Sequence, residues 1–287
     1  LKVEKAKEIG FCFGVRRAID MLAQAAQRYG SLETLGPVVH NHQVVASLAR
    51  KGIGTIHSLD QAKGKVVAIP SHGASPQLIE AIQQRGLVLV DTTCPIVRSA
   101  QVAARKLARA GFCVAVFGEA DHSEVKGILA HCQGRAVLNA GELAQLEPFP
   151  RRLGILPQTT QNPTHFARFV EEAVRSYLPR LLELRVVNTI CDATRKRQAA
   201  ALELAQRADL MIVVGGRHSS NTRRLAESCA AAGVPSQLIE TAAEIQASWL
   251  EGKHRVGVTA GTSTPDEAIA EVVARLQELA RGAEQAD

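Results

Sequence analysis

Cys12 and His40, Cys94 and His122, and Cys191 and Ser219 are each separated by the same 28 residues. Between the members of each pair runs one string of elements: a cysteine, a helix of good formers, a strand or turn, then a polar cluster. The clusters read His40-Asn41-His42, His122-Ser123-Glu124 and Ser219-Ser220-Asn221. A second polar turn recurs in the same register. It reads SHGASP from Ser71, PQTTQNP from Pro157 and TAGTSTP from Thr259, each after a short apolar strand and before a helix. A pattern kept three times predicts three similar units around one centre, at 1–94, 95–190 and 191–287. Three thiolates, one per unit, would then converge on one point.

The strand-helix alternation places the chain in the α/β class with mostly parallel sheets. Helices are expected over 15–29, 44–51, 77–85, 96–110, 164–177, 196–207 and 266–279. Strands are expected over 65–70, 87–91, 113–117, 152–156, 183–188, 210–214 and 255–259, with a frayed tail over 281–287. Apolar residues make up 46% of the chain but aromatics only 3%. The core must therefore be Ala, Val, Leu and Ile, as in parallel sheets covered by helices. Ligands of open α/β sheets bind outside the carboxyl ends of the strands. Both polar turns of every unit fall there, so six turns and three cysteines are expected to line one pocket.

Charge narrows the partners. The net charge of +6 is scattered, with Arg195-Lys196-Arg197 and Arg223-Arg224 as the dense spots. No basic run is interleaved with aromatics, which argues against nucleic acid. A modest positive balance suits an anionic small substrate or an acidic protein donor. No run of 18 apolar residues and no leader over 1–15 is present, so the expectation is a cytoplasmic chain without a membrane segment. In that compartment six cysteines point to free or metal-bound thiols before disulfides.

A lone cysteine is ordinarily a small buried hydrophobe. Cys113, in an apolar strand, and Cys229, in an alanine-rich helix, read that way, and Cys132 has no counterpart in the repeat. Cys12, Cys94 and Cys191 each precede a helix, whose N-terminus favours the thiolate that binds metal. Soft thiolates select zinc or iron–sulfur. The paired short spacings of structural zinc are missing. Three cysteines can hold a cubane normally held by four, leaving one iron open to a ligand. Gly10 and Gly14 read as backbone room for such a cluster.

In the polar turns, His40, His72 and His122 stand beside helix starts, and Ser219, Ser220, Asn221 and Ser263 are good helix caps. Each alone reads as a capping or solvated residue. Together, with several helix N-termini, they make an anion site suited to phosphate or diphosphate. No GxxxxGK[ST] or GxGxxG loop is present. Glu124 is the one carboxylate of the clusters. It reads either as a helix-start glutamate or as a proton donor. Thr159 and Thr160 offer hydroxyls.

The motifs GFCFGVRRAI, VVHNHQVV, SHGAS, DTTCPIV, HSEV, PQTTQNP, NTICDATRKRQ, SSNTRRL and TAGTSTP occur in this order over nearly the whole chain. The sequence thereby resembles the LytB/IspH family of 4-hydroxy-3-methylbut-2-enyl diphosphate reductases. That resemblance implies a three-lobed fold about a central [4Fe–4S] cluster, found as [3Fe–4S] if the open iron is lost. It implies Cys12, Cys94 and Cys191 as ligands. His40, His72, His122, Thr159, Ser219, Ser220, Asn221 and Ser263 would bind the diphosphate substrate, and Glu124 with Thr159 would handle the proton. It implies reductive loss of a hydroxyl as water, giving isopentenyl and dimethylallyl diphosphates in the methylerythritol phosphate route. Ser123 stands where the family usually has proline and His218 where it has asparagine, and the longer tail of some members is missing. No flavin or nicotinamide motif is present, so a ferredoxin or flavodoxin is the expected electron donor. Two rival readings stay open at this point. One is a redox-neutral iron–sulfur hydro-lyase, and the other a redox-sensing or iron-carrying protein without an enzymatic role.

Overall fold

A computed structural model describes residues 1–132 and 134–284. Among them the chain forms three four-stranded parallel sheets. The first sheet holds β2 (Leu32–Leu35), β3 (Ile53–Ile56), β4 (Val66–Ile69) and β5 (Val88–Asp91), in the order β3-β2-β4-β5. The second holds β6 (Cys113–Phe117), β7 (Gly134–Val137), β8 (Arg152–Pro157) and β9 (Glu183–Val186), in the order β7-β6-β8-β9. The third holds β10 (Leu210–Val214), β11 (Ser236–Ile239), β12 (Arg255–Ala260) and the first strand of the chain, β1 (Lys2–Lys5). Its order is β1-β12-β10-β11. Read from the other edge, this is the same order as in the two sheets before it. β1 thus fills in the third sheet the place that β5 and β9 fill in theirs, and it pairs with β12.

Two compact units result. One comprises Leu1–Val15, His40–Ala46 and the chain from Asp192 onward, and contains the third sheet. The other comprises Arg16–Val39 and Ser47–Cys191, and contains the first two. No helix among the described residues is long and apolar enough to cross a membrane.

The central strands are continuous apolar runs because both of their faces are covered. In β10, Leu210, Ile212 and Val214 pack on one face, while Met211 and Val213 join a second cluster on the other. This is the period-two alternation of a strand. β6 divides likewise, with Ala115 and Phe117 in one cluster and Val114 and Val116 in another. Helix α4 (Pro95–Arg109) covers that second face with Ala100, Ala104 and Leu107, one stripe at helical spacing.

The helices α1 (Phe13–Tyr29), α2 (His42–Ala49), α3 (Pro76–Gln84), α5 (Ser123–Leu129), α6 (Pro163–Tyr177), α7 (Asp192–Ala205), α8 (Ser220–Ala231) and α9 (Asp266–Glu284) complete the pattern. The sequence reading placed most of these elements but missed β1, β2, β3, β7 and β11. These five are four-residue strands, four of them at sheet edges, with KVEK in β1 and SQLI in β11 giving little apolar signal. α7 starts at Asp192, earlier than expected, because Thr194 and Arg197 are buried and polar, so hydrophobic period alone hides its first turn. At the other end α9 continues to Glu284, beyond the expected fraying point at 281; residues 285–287 lie outside the described residues.

In every sheet the chain leaves one central strand, adds an outer strand, and returns on the other side. The connection reverses direction between β2 and β4, between β6 and β8, and between β10 and β12. Such a switch point opens a crevice at the carboxyl ends of the two strands. The two polar turns of each unit follow those ends.

Gly257 sits on the central strand β12, where an added Cβ would overlap Met211 Sδ and come within 2.9 Å of Leu204 Cγ. Gly257→Val overpacks this face and should cost about 1–3 kcal/mol. The check is a urea unfolding curve, and an unshifted midpoint would contradict the packing described.

Candidate functional site

The three cysteines of the repeat have one local geometry. Cys94 is the N-cap of α4, and Cys12 and Cys191 stand one residue before α1 and α7. Each donates its backbone N–H to the carbonyl of a second polar turn: Cys94 to Ser71 at 2.9 Å, Cys191 to Thr159 at 2.9 Å and Cys12 to Thr262 at 3.1 Å. Each acceptor lies two residues past the end of a central strand, β4, β8 or β12. The turns themselves match. Gly73 N–H closes on Pro70, Gln161 on Gln158 and Thr264 on Gly261. The second residue of each turn therefore anchors a cysteine, and the third presents His72, Thr160 or Ser263.

Threonines two residues before Cys94 and Cys191 brace the approach. Thr92 Oγ1 donates to the Ile69 carbonyl at 2.6 Å, and Thr189 Oγ1 donates to the Pro157 carbonyl. In the third case the same position is Gly10, whose φ of +81° suits glycine. A Cβ there would stand 2.5 Å from Asp266 Oδ1. Gly10 is thus required by its own backbone and by Asp266. The buried Arg197 guanidinium holds the Gly10 carbonyl at 2.5 Å. Near Cys94, Asp91 accepts from Thr93 N–H at 3.0 Å and from its hydroxyl, and Arg17 donates to the Thr93 carbonyl at 3.2 Å.

Within the unit of the first two sheets lie Cys94, Cys191, His72, His122, Glu124 and Thr159. Glu124 is only 3% exposed, and Thr159 meets both of its oxygens. The Thr159 N–H donates to Oε1 at 2.6 Å and Thr159 Oγ1 to Oε2 at 3.0 Å. The same Thr159 carries Cys191 on its carbonyl, so one residue spans the carboxylate and the cysteine. His122 is the N-cap of α5: its Nδ1 accepts from Glu124 N–H at 3.1 Å. An accepting Nδ1 puts the proton of the neutral ring on Nε2.

The other unit holds Cys12, His40, Ser219, Ser220, Asn221 and Ser263. Ser219 caps α8 through Oγ, which accepts from Thr222 N–H at 3.4 Å. In the first unit of the repeat Asn41 performs this task one residue after His40, its Oδ1 accepting from Val44 N–H at 3.1 Å. Asn221 Nδ2 and Ser263 Oγ are buried with no hydrogen-bond partner among the described residues. Buried donors are nearly always satisfied, so an orphan marks a ligand or strain. His40 has a pKa below the ordinary imidazole value. Burial is the main cause, and the positive charges of His218 and Arg223 add to it. Its surroundings are therefore electropositive. His218, the position where the family usually has asparagine, also meets the His42 ring edge-on at 6.4 Å between centroids.

The sequence reading missed Gly216. A Cβ there would collide with the His40 carbonyl, so the loop after β10 depends on glycine to pass the His40–Asn41 backbone. A glycine after an apolar strand carries no cue to what it must pass. Arg197 was missed as a support for the same reason: its partner, the Gly10 carbonyl, is distant in sequence. Among the described residues no three His, Cys, Asp or Glu side chains gather closely enough to hold a single metal ion. The remaining cysteines, Cys113, Cys132 and Cys229, lie outside the repeat. Burial raises the thiols of Cys132 and Cys229 to about 11 and also raises that of Cys113, so all three stay protonated.

A histidine depressed in the folded state takes up its proton later than in the unfolded chain, whose value is about 6.5. The stability due to neutral His40 is therefore present above that value and is lost as pH falls below it, through the lower folded pKa. His40→Gln should flatten the decline of the urea midpoint between pH 7 and pH 5. An unchanged slope would contradict the environment assigned to His40.

A family model described as LytB protein matches residues 3–277. A 4-hydroxy-3-methylbut-2-enyl diphosphate reductase of Dehalococcoides mccartyi (strain CBDB1) is 46% identical over 285 residues, 99% of this chain and 100% of the relative. The protein so named from Geobacter sulfurreducens is 43% identical over 280 residues, 97% and 98% of the two chains. Among solved structures, the E-1-hydroxy-2-methyl-but-2-enyl-4-diphosphate reductase from Plasmodium falciparum matches with a TM-score of 0.90 at 27% identity. That match covers 96% of this chain and 88% of the other. An (E)-4-hydroxy-3-methyl-but-2-enyl diphosphate reductase, described as the terminal enzyme of the non-mevalonate pathway, matches with a TM-score of 0.71 at 37% identity. It is covered completely, by 97% of this chain. The chain therefore belongs to the LytB protein family and is an oxidoreductase.

Proposed function

We propose that this protein reduces 4-hydroxy-3-methylbut-2-enyl diphosphate to isopentenyl and dimethylallyl diphosphates, in the cytoplasm, with loss of the substrate hydroxyl as water. The names of its near full-length relatives support the reaction. The observation that carries the substrate class is the pair of buried, unpartnered donors, Asn221 Nδ2 and Ser263 Oγ. They stand in the same unit as His40, whose surroundings are electropositive, and the capped start of α8. Such donors suit the oxygens of a diphosphate, and a helix N-terminus favours negative charge. His72, His122, Ser219 and Ser220 complete the proposed anion ligands, with Thr159 toward the hydroxyl.

Cys12, Cys94 and Cys191 would hold an iron–sulfur cluster. Their donor set fits it: three soft sulfur ligands, each at a helix start and each on the same backbone anchor. When bound, a [4Fe–4S] cluster supplies single electrons and one iron without a protein ligand, which acts as a Lewis acid on oxygen. The chain's own residues orient the substrate and move the protons. Glu124 is buried and fixed through both oxygens, a geometry suited to passing a proton by way of the Thr159 hydroxyl. The reduction and its need for protons favour this reading over a redox-neutral hydro-lyase, because the relatives are named reductases.

Two measurements test the proposal. Losing a hydrogen bond to a charged group costs about 1.5–3 kcal/mol, so Asn221→Ala and Ser263→Ala should each weaken binding about 10- to 150-fold. Calorimetric titration with the allylic diphosphate reads this directly, and unchanged affinity in both variants would remove the diphosphate from this place. Glu124→Gln keeps size and most hydrogen bonding but has no carboxyl proton. It should retain the brown absorbance and bind substrate, with turnover down about 10²- to 10⁴-fold. Near-normal turnover would take the proton role away from Glu124.

A further inference from the structure

Helix α4 begins at the residue after Cys94 and carries Arg98, Arg105, Lys106 and Arg109 without one acidic residue. An open groove of about 690 Å³ runs along it toward β9, with Pro95 at the Cys94 end and Arg185 and Val187 among its walls. Val102 and Val187 give the groove an apolar floor, and Arg98, Lys106 and Arg185 line it with positive charge. Two carboxylates answer part of that charge. Asp91 pairs with Arg98, and Glu183 is shared by Arg152 and Arg185. Arg105, Lys106 and Arg109 have no ion-pair partner among the described residues. The positive field reaches inward, since Arg105 and Arg98 add to burial in lowering the pKa of His131.

We propose that this groove is the docking surface for an acidic one-electron carrier protein that delivers reducing equivalents beside Cys94. The inference rests on the reductase reading above. An apolar centre with a charged rim is the anatomy of a protein interface. Complementary charge raises the encounter rate, and contacts between redox proteins are small and weak. Each encounter passes one electron, and the carrier leaves oxidised. Two encounters and two protons break the substrate's C–O bond, form a C–H bond and release water. The groove starts at the cysteine's own helix, so a docked carrier lies against the segment that holds a ligand.

The test is a calorimetric titration of the anaerobically purified protein with an oxidised acidic ferredoxin, at low and at high salt. Lys106→Glu/Arg109→Glu should weaken binding at least about tenfold at low salt and flatten the salt dependence. A control on other surfaces, Lys51→Glu/Arg168→Glu, should leave both unchanged. Turnover with reduced methyl viologen, which needs no docking surface, should be normal in both variants. The docking proposal is overturned if the α4 variant binds as wild type does, or if the control weakens binding equally. It is also overturned if the α4 variant loses affinity only for anionic vesicles or duplex DNA. Wild-type protein that fails to reduce the allylic diphosphate with viologen would sink the reductase reading instead, whatever the titration shows.

Discussion

The backbone amide of each repeated cysteine rests on a carbonyl in the turn that follows a central strand, and the functional arrangement hangs on that bond. Because the anchor is backbone to backbone, it does not depend on which side chain the turn carries. Ser71, Thr159 and Thr262 all serve as acceptors. The side chains are thereby released for different tasks. Ser71 ties its turn to the Val38 carbonyl at 3.0 Å, while Thr159 engages Glu124. One backbone geometry, used three times, thus carries three different side-chain chemistries.

The three polar clusters diverge for the same reason. Each opens a helix whose first amides need acceptors. His122 supplies a ring nitrogen, Ser219 a hydroxyl, and Asn41, one position later, an amide oxygen. Capping therefore accounts for one function of these residues and leaves the rest of the side chain for another. The ring proton of His122, placed on Nε2 by its cap, and Asn221 Nδ2, without a hydrogen-bond partner among the described residues, are what capping leaves unused.

Much of this was legible in the sequence because the repeat is written in residues that chemistry restricts: cysteines before helices, histidines and hydroxyls after apolar strands. The central strands were equally plain, since burial on both faces demands unbroken runs such as LMIVV. What the sequence withheld lies in contacts made between distant residues. The bidentate grip of Thr159 on Glu124 joins residues from different elements, and the need for glycine at 216 comes from a backbone that arrives from position 40. The short outer strands were hidden because their stability comes from a neighbour already in place, not from their own composition. Ser123 in place of proline still opens α5, but its Oγ is buried with no hydrogen-bond partner among the described residues, an orphan that proline would not leave.

The place of β1 has a consequence for how the protein is made. Lys2 lies opposite Arg255 in a parallel pair, so β1, once translated, waits for a partner about 250 residues further along the chain. At about 5–20 residues per second that wait is on the order of ten to fifty seconds. The first two sheets, with their strands closer together in sequence, can form in the meantime. An unpaired strand is a template for aggregation, and lysines are a common protection. β1 reads Lys-Val-Glu-Lys, with both lysines exposed in the finished fold. Its polarity, which hid it from a search for apolar patterns, suits a nascent segment that must stay soluble and uncommitted until its partner strand has been made.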